Sequence, residues 1–272
     1  MATVKVNKRL ETRSGRVVFP EKTSLCENVY HAPEDVPVNL DLDLKHLGLD
    51  YVDLFLMHFP YAYKKTDNYG TQRDEYGRPL IDIEHSRAFN ITWKAMEDLV
   101  GTKKVKYIGV SNFSSPKIKR LLQTARIKPA VNQIECHPQW PQKGLVKLCQ
   151  ENGIHVTAFG PLGCTPIPAL VGRGERPGPL EDETIASIAK KYSKTPAQLI
   201  LCHLLLRGLS VIPKSNRPER IAENFDCRFE MDEADFQTID SLVGENGERG
   251  VRNLESLHYL GFDNYNEEVE EP

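Results

Sequence analysis

No segment of the 272-residue chain stays apolar over the roughly 20 residues that a membrane-spanning helix requires, so an integral helical membrane protein is not expected. There is also no G-x-G-x-x-G run, which removes the glycine turn of a Rossmann cradle. The six cysteines (Cys26, Cys136, Cys149, Cys164, Cys202, Cys227) form no C-x-x-C pair and no Cys/His spacing suited to zinc. They read as reduced thiols of an intracellular protein with no metal site. Nor is charge of one sign in excess: a net charge of -3 leaves no global field to attract nucleic acid or an anionic membrane. Residues 1–22 carry Lys5, Lys8, Arg9, Arg13, Arg16 and Lys22 against Glu11 and Glu21, yet lack the apolar core of a signal peptide. Val4/Val6 and Val17/Val18/Phe19 around Ser14-Gly15 predict a β-hairpin instead. The expectation is a cytoplasmic protein, a monomer, with small-molecule partners.

The chain is long enough, with 40% apolar residues, to bury one large core. From about residue 33, short apolar runs alternate with amphipathic segments, the pattern of repeated βα units around a parallel sheet. Strands are predicted at Tyr51–Phe59, Tyr107–Asn112, Val131–Cys136, His155–Gly160 and Leu209–Pro213, with Val17–Thr23 as a sixth. Val36, Leu40, Leu44 and Leu47 make a helical stripe that Gly48 stops, although Val38, Leu40, Leu42 and Leu44 also alternate like a strand. Phe89, Trp93, Met96 and Val100 recur at helical spacing before Gly101. Ser115-Pro116 and Thr195-Pro196 each open a helix, with the hydroxyl as cap and proline as first residue. Asp232 is expected to cap a last helix through Phe236, Ile239 and Leu242, and the closing residues read as a solvated acidic tail.

In a parallel (β/α) barrel the strand C-termini form one rim, and reacting groups gather there. The polar residues interrupting apolar strands at that end are His58, Ser111-Asn112, Gln133 with Glu135 and His137, and Lys214-Ser215. His58 shares a face with Val52, Leu54 and Leu56 and replaces an aliphatic residue where that face reaches the rim. It is either a hydrogen-bonding partner for a substrate carbonyl oxygen or a histidine satisfied by nearby backbone. Asn112 and Gln133 carry amides able to pair with another amide, and Phe159 offers an aromatic face for stacking or for the core. Lys214, Ser215 and Arg220 converge just ahead of a helix starting near Pro218, where amide donors and dipole favour a phosphate.

LGLDYVDLFLMHFP (47–60), GVSNF (109–113), NQIECHP (132–138), AFGPLG (158–163) and VIPKSNRPERIAEN (211–224) together resemble the aldo-keto reductase superfamily. The likeness covers roughly residues 31–245, and it is similar to fungal- or plant-type NADPH-dependent aldehyde/xylose reductases. It implies an α/β fold, a TIM (β/α)8-type barrel, that binds NADP(H) and reduces an aldehyde or ketone to an alcohol. It implies His58 as the catalytic histidine, and Ser111, Asn112 and Gln133 as carboxamide ligands. Phe159 takes the place of the stacking tyrosine, with Pro161 and Leu162 beside it, and Lys214, Ser215, Arg220 and Asn224 hold the 2′-phosphate and adenine. The family's lysine position falls on Ser24 or Leu25, and Lys22 reaches it only with one or two gaps.

His31-Ala-Pro-Glu-Asp-Val36 matches the stretch after the family's third strand, so the first two βα units, with their aspartate and tyrosine, are expected to be absent or replaced. The barrel is then incomplete, divided as an atypical segment 1–30, a barrel portion 31–245, and a substrate loop with acidic tail 246–272. Tyr30, Tyr61 and Tyr63 are the rim-side candidates for a substitute acid. Beside a working reductase acting on a carbonyl or alcohol stand two alternatives: a catalytically impaired NADP-binding sensor or interaction protein, and a truncated gene model of an active reductase.

Overall fold

The computed structural model describes residues 23–163, 177–244, 250 and 252, and the backbone of 10–12 and 15–17. Val4, Val6, Val18, Phe19, Lys22, Cys164 and the acidic tail lie outside the described residues. The described chain falls into two compact units, one from residues 8–132 and 151–155, the other from residues 133–150 and 156–255.

The first unit opens on an antiparallel hairpin, β1 (Leu10–Thr12) and β2 (Gly15–Val17), with Thr12 opposite Gly15. Its second arm shares Val17 with the hairpin expected around Ser14-Gly15, its first arm is Leu10–Thr12, and the Val4/Val6 arm of that expectation lies outside the described residues. The parallel strand expected at Val17–Thr23 lies further on, as β3 (Thr23–Cys26). There follow α1 (Asp35–Leu47), β4 (Val52–Met57), a hairpin of β5 (Ala62–Tyr63) and β6 (Ile81–Asp82), α2 (Ile83–Arg87), α3 (Phe89–Val100), β7 (Val105–Ser111) and α4 (Ser115–Leu122). β4 pairs in parallel with β3 on one side and β7 on the other, so helices return the chain between parallel strands as the alternation predicted.

The helical reading of residues 36–47 holds. Val36, Leu40 and Leu44 are buried on one face of α1, and Gly48 at φ 63° ends it with its N–H on the carbonyls of Leu44 and Lys45. α3 buries Phe89, Trp93 and Met96 in the same way. The cap of α4 is Ser114, one residue earlier than read, and Ser115 and Pro116 form its first turn.

β8 (Val131–Glu135) carries the chain into the second unit, which continues with α5 (Lys143–Glu151), β9 (His155–Phe159), α6 (Glu183–Lys191), α7 (Pro196–Leu206), β10 (Ser210–Ile212), α8 (Pro218–Phe225) and α9 (Glu233–Asp240). β9 and β10 are parallel. Thr195 caps α7 in a reciprocal capping box with Gln198, and Leu199, Ile200, Leu201 and Leu204 are fully buried. Asp232 precedes α9 without capping it through its side chain, because its carboxylate takes Lys191 at 2.7 Å.

The glycine of GVSNF has a steric reason. Gly109 on β7 lies opposite Leu56, and a Cβ there would stand 2.7 Å from both the Leu56 side chain and the Val131 carbonyl oxygen. The Val131 backbone cannot yield without disturbing β8. Gly109→Ala is therefore expected to destabilise by about 1–3 kcal/mol, read as a lower urea midpoint at unchanged slope.

Candidate active site

Leu54 and Leu56 of β4 pack with Val131, Leu25 and Ala130 in a small apolar cluster. Strand alternation puts His58, just past the end of β4, on that same face. The register of β3 against β4 sets Leu25 beside Leu56 and Cys26 beside Met57. One step further along both strands, Glu27 falls beside His58.

Three contacts hold this histidine. Its backbone N–H donates to the Cys26 carbonyl at 3.1 Å. Its own carbonyl accepts from Asn112 Nδ2 at 2.8 Å. On the ring, Nδ1 lies 3.2 Å from Glu27 Oε2. His58 and Glu27 side chains are 32% and 52% exposed, so the pair is open to small molecules and to water. Nε2 of His58 has no hydrogen-bond partner among the described residues.

Asn112 follows β7 with φ at 61°, the left-handed region that asparagine tolerates better than most residues. Its Nδ2 also donates to Ser111 Oγ at 3.1 Å, and Ser111 is buried. The donor side of this amide is thus turned onto the protein, and Oδ1 is what it offers a ligand.

Neither sequence position proposed for the family's lysine brings a cation to His58. Ser24 donates its hydroxyl to Asp43 of α1, while Leu25 joins the apolar cluster. Sequence reading missed Glu27, the charged residue that does meet the histidine. Of the candidate acids, Tyr61 is buried and packed between Phe59 and Tyr63. Tyr30 stacks on Tyr69 with ring centroids 4.8 Å apart, and burial, with Tyr69 and nearby carboxylates, raises its hydroxyl above the ordinary tyrosine range. A raised phenol is a poorer proton donor. Tyr69 in turn donates to buried Asp35 at 3.2 Å, and Lys65 pairs with the same carboxylate. These contacts tie the β5–β6 hairpin to the start of α1.

In the second unit, Glu135 and His137 are fully buried and hydrogen-bond each other at 3.1 Å, an internal pair that no substrate meets without rearrangement. Gln133, between them and the start of β8, is partly exposed. Phe159 is also partly exposed at the end of β9, and its carbonyl accepts from the Cys136 N–H at 3.3 Å. The chain turns after it through Gly160 and Gly163, both at positive φ, with Pro161 buried and Leu162 half-buried between them. Beyond β10, Lys214 is exposed, and Ser215 Oγ accepts from the Arg217 N–H at 3.2 Å.

α8 then begins with Pro218 and has no side-chain cap. Its first free N–H groups point along the helix axis with no acceptor from a cap, an anion-binding arrangement. Lys214 and Arg220 enter no ion pair among the described residues, and Glu219 places one opposing charge in the same turn. Arg220 and Asn224 stand four residues apart, one turn from each other, with Asn224 buried.

Parallel strands alternating with helices, with polar side chains gathered at the strand C-termini, are the pattern of an α/β enzyme of the barrel type. The chain belongs to the aldo/keto reductase family, whose model matches residues 22–243. It is 38% identical over 242 residues to glycerol 2-dehydrogenase (NADP(+)) of Hypocrea jecorina, covering 88% of this chain and 74% of that protein. It is 40% identical over 223 residues to aldo-keto reductase family 1 member A1 of Cricetulus griseus, covering 81% of this chain and 66% of that relative's length. The solved aldose reductase from Schistosoma japonicum superposes with a TM-score of 0.76 at 34% identity, covering 89% of this chain and 73% of that one. Among the described residues, no helix is long and apolar enough to cross a membrane.

Proposed function

We propose that the chain reduces an aldehyde or ketone to an alcohol using NADPH, with His58 meeting the substrate oxygen. The observation that carries this is the three-point hold on His58, which leaves only Nε2 available. An imidazole fixed by its backbone on both sides and by one ring nitrogen presents the other nitrogen in a set direction, and orientation of this kind is what lowers a barrier. A carbonyl oxygen that accepts from Nε2–H of the protonated ring is polarised by the hydrogen bond, and its carbon is thereby made more receptive to hydride.

The bound cofactor supplies that hydride. The residues that fit it are Lys214, Ser215 and Arg220 for the 2′-phosphate at the uncapped start of α8, and Asn224 for the adenine. Asn112 Oδ1, Ser111 and Gln133 suit the carboxamide, and Phe159 with Pro161 and Leu162 gives the ring a flat apolar face. Arg220 brings two parallel N–H donors to a phosphate, a geometry that a ribose hydroxyl does not repay. The similarity to a glycerol 2-dehydrogenase named for NADP(+) supports the same choice. The partner of the reaction is a small carbonyl or alcohol, and the protein acts as a cytoplasmic monomer.

Titration with NADPH followed by fluorescence, together with turnover on an aldehyde panel, tests the proposal. Binding with turnover is the expected result. Binding without turnover favours the NADP-binding sensor, and no binding removes both readings. Arg220→Ala is expected to weaken NADPH about 10- to 100-fold, in line with a lost charge-assisted contact of about 1.5–3 kcal/mol, and to leave NADH within about twofold. Equal losses for the two cofactors dismiss the phosphate assignment.

A further inference from the structure

We infer that Glu27 is the positioning residue of His58, and that the pair forms a carboxylate–imidazole dyad whose working atom is His58 Nε2. The inference rests on the reading of His58 as the residue that meets the substrate oxygen. Its warrant is geometric. Glu27 is brought beside His58 by strand register, and its carboxylate oxygen stands 3.2 Å from Nδ1. The backbone under it is also fixed, since the Glu27 N–H donates to Asn39 Oδ1 of α1 at 2.7 Å. Glu27 has no competing cation among the described residues.

The chemistry follows from what a carboxylate asks of an imidazole. An ionised carboxylate only accepts, so Nδ1 must carry the hydrogen of that contact. The neutral ring then has a lone pair at Nε2, and the protonated ring has Nε2–H. In either form the proton that comes and goes is the one on Nε2. In reduction, that proton passes to the carbonyl oxygen while the carbonyl carbon gains a hydride, with its electron pair, from the NADPH of the proposed reaction. The ring is left neutral with Nδ1–H still on Glu27, and water at its exposed side restores the proton. In alcohol oxidation Nε2 takes the hydroxyl proton. Without Glu27 the neutral ring is free to adopt the other tautomer and to turn about its side-chain bonds.

The two residues separate cleanly by experiment on the full chain. Nitrogen-15 NMR of the histidine rings, with His58 signals identified by their loss in His58→Gln, is expected to show Nδ1 protonated in the parent. Glu27→Gln, which keeps size and removes charge, is expected to shift the ring toward the Nε2–H tautomer. With NADPH and an aldehyde panel, Glu27→Gln is expected to lower kcat about 10- to 100-fold, with KM and NADPH affinity within about twofold. Glu27→Asp is expected to recover part of the loss. An Nε2–H tautomer in the parent overturns the inference. So does a Glu27→Gln kcat within twofold of the parent when His58→Gln is inactive. If His58→Gln itself keeps the parent kcat, the reading of His58 fails instead.

Discussion

Glu97→Ala is expected to cost about 3 kcal/mol of stability and to lower the urea midpoint correspondingly. Glu97 lies on α3 with its side chain 2% exposed. One of its oxygens accepts two backbone N–H bonds, from Arg126 at 2.6 Å and Ile127 at 2.8 Å, while the other accepts from Arg126 Nε at 2.8 Å. A carboxylate placed this way serves as the acceptor for the loop that enters β8. Removing it strands two amide donors, each costing about 1–3 kcal/mol where water does not replace the bond. The charge attraction contributes less, because the Arg126 side chain is 60% exposed and screened by solvent. The contrast is sharp. Arg126→Ala keeps the backbone bonds and is expected to cost under about 1 kcal/mol. Comparable losses for the two variants refute the division.

Acid is expected to weaken the fold well before carboxylate protonation dominates, and His31 is the reason. The ring is 1% exposed, and neither of its nitrogens has a partner among the described residues. Burial, chiefly, with a smaller contribution from His85, pushes its pKa down from 6.5 to about 3. The sign follows from proton counting. Unfolded His31 binds a proton as pH drops through about 6.5, whereas the folded ring refuses it until about 3, so protons favour the unfolded chain. Stability from this group is fully present above pH 6.5 and is lost progressively as pH falls toward 3. Between pH 7 and pH 5 the loss is about 2 kcal/mol, at about 1.4 kcal/mol per pH unit once titration is complete in the unfolded state. His155, pushed by burial to about 4, adds a second contribution of the same sign. Urea unfolding of the parent and of His31→Phe, compared at the two pH values, isolates the effect. The parent's stability relative to the variant should fall by about 2 kcal/mol on acidification, and a difference independent of pH rules the assignment out.

What the sequence made legible is local. Gly48 and the Val36, Leu40, Leu44 stripe decided between strand and helix, because a left-handed stop and a one-sided apolar face agree. Thr195-Pro196 likewise announced α7. The parallel strands were visible because two-faced burial produces unbroken apolar runs such as LFLM (54–57). The region between Tyr61 and Asp82 was opaque for the opposite reason. β5 and β6 are held by backbone bonds such as Lys64 N–H to Leu80 and Gln72 N–H to Lys64, and by Asp35 gripping Lys65 and Tyr69. No apolar period marks such a hairpin.

At the site, His58 and the Lys214–Arg220 cluster stood out as polar interruptions at strand ends. Glu27 did not, since its pairing with a residue 31 positions away depends on register, and register is a property of two strands together. The apolar run at Val17–Thr23 points to a strand several residues ahead of β3, which also hides the alignment of Glu27 with His58.

Asn112 shows how narrowly one position can be specified. Glycine accepts a φ of 61° but has no amide to offer the His58 carbonyl, and aspartate tolerates the backbone yet would set a lone pair against a lone pair there. Glutamine has the donor on a longer arm and a backbone less willing to enter the left-handed region. Two unrelated demands, one conformational and one on hydrogen-bond polarity, intersect at a single side chain. Of these four residues, asparagine is the one that meets both.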